Sequence, residues 1–235
     1  MKLDNAVVLI TGANRGLGLA FAREALARGA RKVYAAARNP ATVTLPGVVP
    51  LQLDVGKPEE IAAAVRAAGD VTLLVNNAGI ALPGGVTDPD AEQHLRAMME
   101  TNVYGPLRMV QAFAPTLKAN GGGAVLNVLS VASWVSSGML GNYAASKSAI
   151  WSITNGQRID LAGQGTQVLG LHAGFIDTDL TAGLDAPKST PEAIVRAAYD
   201  ALEAGRSESL SDDISEAVHQ GLSAEPAVYL QAMGG

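Results

Sequence analysis

A chain of 235 residues, 48% hydrophobic and 17% charged, can bury a large core and falls within the size of one α/β domain. Its net charge of −5, with 17 Lys and Arg forming no basic run, argues against nucleic acid as a partner. The lack of cysteine removes disulfides, thiolate metal sites and thiol catalysis, and agrees with the reducing cytoplasm in which the protein is expected. The N-terminus turns acidic at Asp4, unlike a signal peptide. No residue from 119 to 146 is charged, but glycines, serines and asparagines interrupt that stretch, so no membrane span is expected.

Ala6–Ile10 is a short apolar run, as expected of a strand buried on both faces. It ends in Thr11-Gly-Ala-Asn-Arg-Gly16-Leu-Gly18, followed by a helical pattern that stops at Gly29. Glycines there let the backbone approach a pyrophosphate, and the helix start offers free N–H groups. The Gly-x-x-x-Gly-x-Gly spacing matches neither the Gly-x-Gly-x-x-Gly dinucleotide pattern nor a Gly-Lys-Ser/Thr phosphate loop, and a plain tight turn remains the alternative. Lys32–Ala37 is a second strand, ending at Arg38 with no carboxylate in reach. In a dinucleotide fold such a cation suits a 2′-phosphate rather than free ribose hydroxyls, and Arg15 could converge on the same group; otherwise the two arginines are simply solvated.

Strands at 48–53 and 71–75 alternate with a helix at 58–68, which implies right-handed crossovers and a parallel sheet. Asp54 and Asn76 fall at strand ends, where such sheets gather ligand groups. A helix over 90–99 meets a second one running toward Leu117, with Gly105-Pro106 expected to disturb the bonding near Asn102. Ala124–Leu129 is a strand with Ser130 immediately after it. The loop from Val131 to Asn142 carries Trp134, Val135, Met139 and Leu140, which either line a pocket or merely pack. Tyr143 and Lys147 lie four residues apart on one face of a long helix, a pair able to do acid–base chemistry if the cation favours the phenolate. A strand at 167–171, a helix from Pro191 to about Ala204 preceded by Ser189-Thr190, a strand or turn near Ser209 and a helix near 214–221 complete the pattern. The tail to Gly235 carries no functional signal. His94, His172 and His219 form no metal-like cluster, so no metal is expected.

Taken together, Thr11-Gly-x-x-x-Gly16-x-Gly18, Asn76-Asn-Ala-Gly79, Asn102, Ser130 and Tyr143-x-x-x-Lys147 resemble the short-chain dehydrogenases/reductases over roughly residues 6–204. The resemblance implies a single-domain Rossmann-type fold over residues 1–235: an α/β doubly wound sheet of about seven mainly parallel strands with helices on both faces, and a short substrate loop at about 179–190. It implies NADP(H), preferred over NAD(H), beside Gly12, Asn14, Arg15, Gly16, Leu17, Gly18, Arg38, Asp54, Val55, Asn76, Ala78, Gly79, Tyr143, Lys147, Gly174, Ile176 and Thr178. It implies that Ser130 holds a carbonyl oxygen and Tyr143 exchanges its proton, while Lys147 lowers the tyrosine pKa and Asn102 positions a water. The reaction so implied is reversible reduction of a ketone or aldehyde to an alcohol by hydride transfer. Partners are a small, apolar carbonyl or alcohol and further copies of the chain, as homodimer or homotetramer, with no nucleic acid and no membrane. The family's Pro-Gly ahead of the threonine is Ala173-Gly174 here, which leaves the stiffness of that turn open. A non-catalytic NADP(H)-binding regulator is the alternative, disfavoured by the complete Asn102, Ser130, Tyr143 and Lys147 set. A nucleotide-sugar epimerase would require a larger substrate region.

Overall fold

The structure is a computed structural model that describes residues 1–231. Seven parallel strands form one sheet: β1 (Val7–Thr11), β2 (Lys32–Ala37), β3 (Val49–Gln52), β4 (Leu73–Asn76), β5 (Ala124–Val128), β6 (Gln167–His172) and β7 (Glu208–Leu210), in the order β3-β2-β1-β4-β5-β6-β7. The chain winds outward from β1 to β3, then returns to the other side of β1 for β4. That reversal opens a crevice beyond the strand C-termini, where α/β sheets bind ligands. The central strands need side chains that tolerate burial on both faces, and β1 and β4 are buried throughout. Pro50 sits in exposed β3, an edge strand where a missing N–H is tolerated.

Helices cover both faces. On one, α1 (Gly16–Ala27) packs with α6 (Pro191–Glu203), the Phe21 and Tyr199 rings meeting edge to face at 5.3 Å between centroids. On the other, α2 (Pro58–Ala67), α4 (Gly105–Ala119) and α5 (Gly141–Ala162) contribute Ile61, Met109, Phe113 and Leu161 to a second apolar layer. Thr190 caps α6, accepting from the Ala193 N–H, and Pro191 occupies its first turn as expected. A last helix, α7 (Asp213–Gly221), follows β7.

The expected disturbance near Asn102 takes a specific form. Between α3 (Ala91–Met99) and α4 the chain stays helical, but Glu100–Tyr104 forms a wide π turn in which the Gly105 N–H donates to the Glu100 carbonyl. Pro106 lacks an N–H, so the looser turn accommodates it. Gly105 is needed there because a Cβ would stand 2.7 Å from Val55 Cγ2. Among the described residues no helix is long and apolar enough to cross a membrane, and no group of His, Cys, Asp or Glu could hold a metal ion.

Candidate active site

The phosphate-facing end begins where β1 runs out. Gly12 and Gly16 both take positive φ, +67° and +52°, a conformation that disfavours other residues. Gly18 is required by contact rather than by φ, since a Cβ there would lie 2.1 Å from the Gly12 carbonyl oxygen. The turn is tied to β4 by Thr11 and Asn77. Thr11 Oγ1 accepts from the N–H groups of Asn77 and Ala78 at 3.0 and 2.9 Å, and Asn77 Nδ2 donates to the Thr11 and Gly12 carbonyls. Arg15 precedes α1 without giving it a side-chain cap, so the helix start opens onto the cleft beside Asn14. The Arg15 guanidinium instead pairs with the Asp179 carboxylate at 2.8 Å, both side chains being exposed. Arg38 lines the same end of the cleft, as do Asp54 and Val55.

At the other end stand Ser130, Tyr143 and Lys147. Ser130 follows β5, accepting at Oγ from the Ala132 N–H at 3.1 Å. Lys147, buried on α5, donates from Nζ to the Val128 carbonyl at 2.9 Å and lies 5.6 Å from the centre of the Tyr143 ring. The helix face anticipated for the pair therefore exists. The expected lowering of the Tyr143 pKa does not: burial pushes it up to about 12, opposed by a hydrogen bond with Ser130. Burial also brings Lys147 down to about 8. Loss of water penalises phenolate and ammonium alike, which moves the two groups in opposite directions.

One cavity of about 800 Å³ joins both ends. Gly12, Asn14, Arg15, Gly16, Leu17, Gly18, Arg38, Asp54, Val55, Ala78, Gly79, Ser130, Tyr143, Lys147, Gly174, Ile176 and Thr178 all line it. Asn76 and Asn102 do not. Asn76 is buried and donates to Asn127 Oδ1 at 2.9 Å, and Asn127 in turn reaches Thr154 and Gln157 of α5, so this chain of amides fastens the sheet to the helix carrying Tyr143. Asn102 Oδ1 accepts from the Ile80 N–H, while its Nδ2 donates to the Ile80 carbonyl and to Ser146 Oγ at 3.1 Å. Its side chain is thus fully engaged in holding the Ile80 loop against α5.

The apolar loop divides between lining the pocket and packing elsewhere. Trp134 turns away from the cavity and stacks on His172 at 3.9 Å between ring centres, and Met139 is largely exposed. Leu140, Val135 and Phe175 do line the cleft, joined by Leu180 and Leu184 from the 179–190 segment and by Ile214 from α7. Asn77 and Ile214 carried no separate signal in the sequence. Asn77 lies inside the Asn-Asn-Ala-Gly run, whose two amides could not be told apart by spacing, and Ile214 belongs to a helix with no motif.

A sheet of this order with these residues gathered beyond its strand C-termini defines a doubly wound α/β scaffold with one ligand cleft. The short chain dehydrogenase family model matches residues 6–189, and the chain belongs to that family. Sorbitol dehydrogenase from Cereibacter sphaeroides is 32% identical over 229 residues, covering 90% of this chain and 89% of the relative. A short chain dehydrogenase from Burkholderia cenocepacia, solved in complex with NADP, is 38% identical and superimposes with a TM-score of 0.91 over 96% of both chains. A 3-ketoacyl-(acyl-carrier-protein) reductase from Brucella melitensis, complexed with NADH, is 27% identical with a TM-score of 0.79, over 88% of this chain and 96% of the other. The protein is an oxidoreductase of the short-chain dehydrogenase class.

Proposed function

We propose that this protein uses NADP(H), in preference to NAD(H), to reduce ketone or aldehyde carbonyls to alcohols, reversibly. One observation carries the reading: a single cavity runs from the open start of α1, flanked by Arg15 and Arg38, to Ser130, Tyr143 and Lys147. Its volume and chemistry suit a dinucleotide, with backbone N–H groups for pyrophosphate, the Arg38 guanidinium, and that of Arg15 once it leaves Asp179, for a 2′-phosphate, and an ammonium for a ribose. The solved relative bound to NADP supports this preference. When bound, the dinucleotide supplies or accepts the hydride.

The chain's own residues orient the substrate and manage the proton. Ser130 Oγ donates a hydrogen bond to the carbonyl oxygen. The Tyr143 hydroxyl, protonated at neutral pH, gives its proton to that oxygen as negative charge develops there. Lys147, anchored at the Val128 carbonyl, would hold the ribose and offset the charge left on the phenol. Asn102 acts through the Ile80 loop and Ser146 rather than from the cleft wall.

Val135, Leu140, Phe175, Leu180, Leu184 and Ile214 around this end favour an apolar substrate over a polyol of the kind the sorbitol dehydrogenase relative is named for. Association with further copies of the chain, as a homodimer or homotetramer through α4 and α5, belongs to the same reading.

The test is loss of NADPH or NADH absorbance with aryl ketones, aliphatic ketones and aldehydes. Turnover with NADPH is expected, and Tyr143→Phe should lower kcat by at least about a hundredfold with NADPH affinity unchanged. Near-normal turnover in that variant would refute the role of Tyr143. Tight NADPH binding with no turnover of the panel would leave two readings, a substrate class outside it or the binding-only regulator.

A further inference from the structure

The turn after β6 closes the cleft beside Ser130, yet it carries alanine where the family resemblance leads one to expect proline. Something other than a pyrrolidine ring must fix its course. The His172 carbonyl accepts from the Ser211 N–H at 3.0 Å, and the Ala173 carbonyl from the Val131 N–H at 3.0 Å. The next N–H, that of Gly174, donates to Asp212 Oδ2 at 2.8 Å.

Asp212 is shared. Its other oxygen, Oδ1, accepts from the Ser215 N–H at 2.8 Å and caps α7, while Ser215 Oγ donates to the Asp212 carbonyl. One carboxylate therefore bonds the backbone N–H groups of Ser215, in its own corner, and of Gly174, 38 residues before it, and such charge-assisted bonds are stronger than neutral ones. Ile214, one residue into α7, lies close over Gly174: a Cβ on that glycine would stand 3.1 to 3.3 Å from three Ile214 carbons. Ile214 also lines the cavity, as do Gly174, Phe175 and Ile176. The β7–α7 corner thus does two things at one place. It pins the turn by a carboxylate and covers it with an aliphatic side chain.

We propose that Asp212 is a positioning residue for the nicotinamide half of the dinucleotide, holding the Ala173–Ile176 turn in the course that the missing proline would otherwise enforce. The proposal rests on the dinucleotide reading of the cleft. It requires Asp212 to affect the end of the cavity beside Ser130 and to leave the Arg15 and Arg38 end untouched.

The experiment measures Kd by titration for two ligands, NADPH and adenosine 2′,5′-bisphosphate, the latter filling only the adenosine end. Asp212→Asn keeps an acceptor for capping α7 but brings an amide donor toward the Gly174 N–H, and Asp212→Ser keeps a short cap that cannot reach Gly174. Both should weaken NADPH about tenfold while shifting adenosine 2′,5′-bisphosphate by less than about twofold. Ser215→Ala, which disturbs the cap and not Gly174, should leave both affinities as in the unaltered protein. Equal weakening of both ligands, or no weakening of NADPH, would overturn the proposal. Should the Asp212 variants fail to fold, hydrogen exchange at the Gly174 amide of the unaltered protein decides, since rapid exchange there is incompatible with the clamp. Failure of NADPH and the bisphosphate to bind the unaltered protein would refute the dinucleotide reading itself; binding without turnover would refute only the reductase chemistry.

Discussion

The two ends of the cleft are built from different materials. Around Gly12, Gly16 and Gly18 the surface is main chain, and what matters is the lack of side chains: β1 and α1 approach so closely that a single Cβ cannot enter. Around Ser130, Tyr143 and Lys147 the surface is made of side chains, held by hydrogen bonds and by the amide chain from Asn76 through Asn127 to α5. A substitution in the glycine turn acts by volume, and one among Ser130, Tyr143 and Lys147 by charge and proton affinity, with Arg38 the charged exception at the glycine end. Binding and chemistry can therefore be damaged separately, as expected where the anchoring of a cofactor and the handling of its reaction are assigned to different strand ends.

The sharpest way to break this division is Gly18→Ala. If the phosphate end is set by close approach, the added methyl must push α1 away from β1 and cost about 2–3 kcal/mol of stability, read by chemical denaturation, together with dinucleotide affinity. Unchanged stability would show that the turn is loose. An intermediate effect is expected at Lys147. Its folded pKa is depressed from 10.5 to about 8, so between those values the unfolded chain holds more protons and stability rises with pH; the burial penalty is fully present below pH 8. Lys147→Met should accordingly be more stable than the unaltered protein at pH 7 by roughly 1–3 kcal/mol, with the gain fading toward pH 10.5, although turnover is lost. A pH-independent difference would mean that the ammonium is well solvated. Smallest is Arg38→Ala, expected to raise the NADPH Kd about tenfold and leave NADH and folding unaffected. Equal effects on the two cofactors would remove Arg38 from the basis of the preference.

Much of the fold was legible because the strands are short apolar runs buried on both faces, bounded by glycines or by asparagine and serine at their C-terminal ends. The cleft was legible wherever spacing alone places a group, as for Tyr143 and Lys147 on one helix face. It was not legible where the chain had to choose between neighbours. Asn76 and Asn77 are adjacent, so at a strand end they face opposite ways, and only the register with β5 sends Asn76 into the interior. For Trp134 the sequence left pocket lining and packing both open, and His172, a flat partner away from the cavity, decides for packing. Asp212 left no trace because its partner, Gly174, is brought near only when β6 and β7 pair. The direction of the Tyr143 pKa was misjudged for a different reason: sequence shows which charges are neighbours but not how much water they have lost.

The π turn at Glu100–Tyr104 decides what a change of length in this stretch would cost. It stores one surplus residue inside a continuous helical rod, so the loss of one of the five would let the rod close into regular α-helix while α3 and α4 keep nearly their present facing. The cost would fall on Asn102, whose bonds to Ile80 and Ser146 depend on where the wide turn sets it. In evolutionary terms a deletion here should be felt in the hold on the Ile80 loop rather than in the packing of α4.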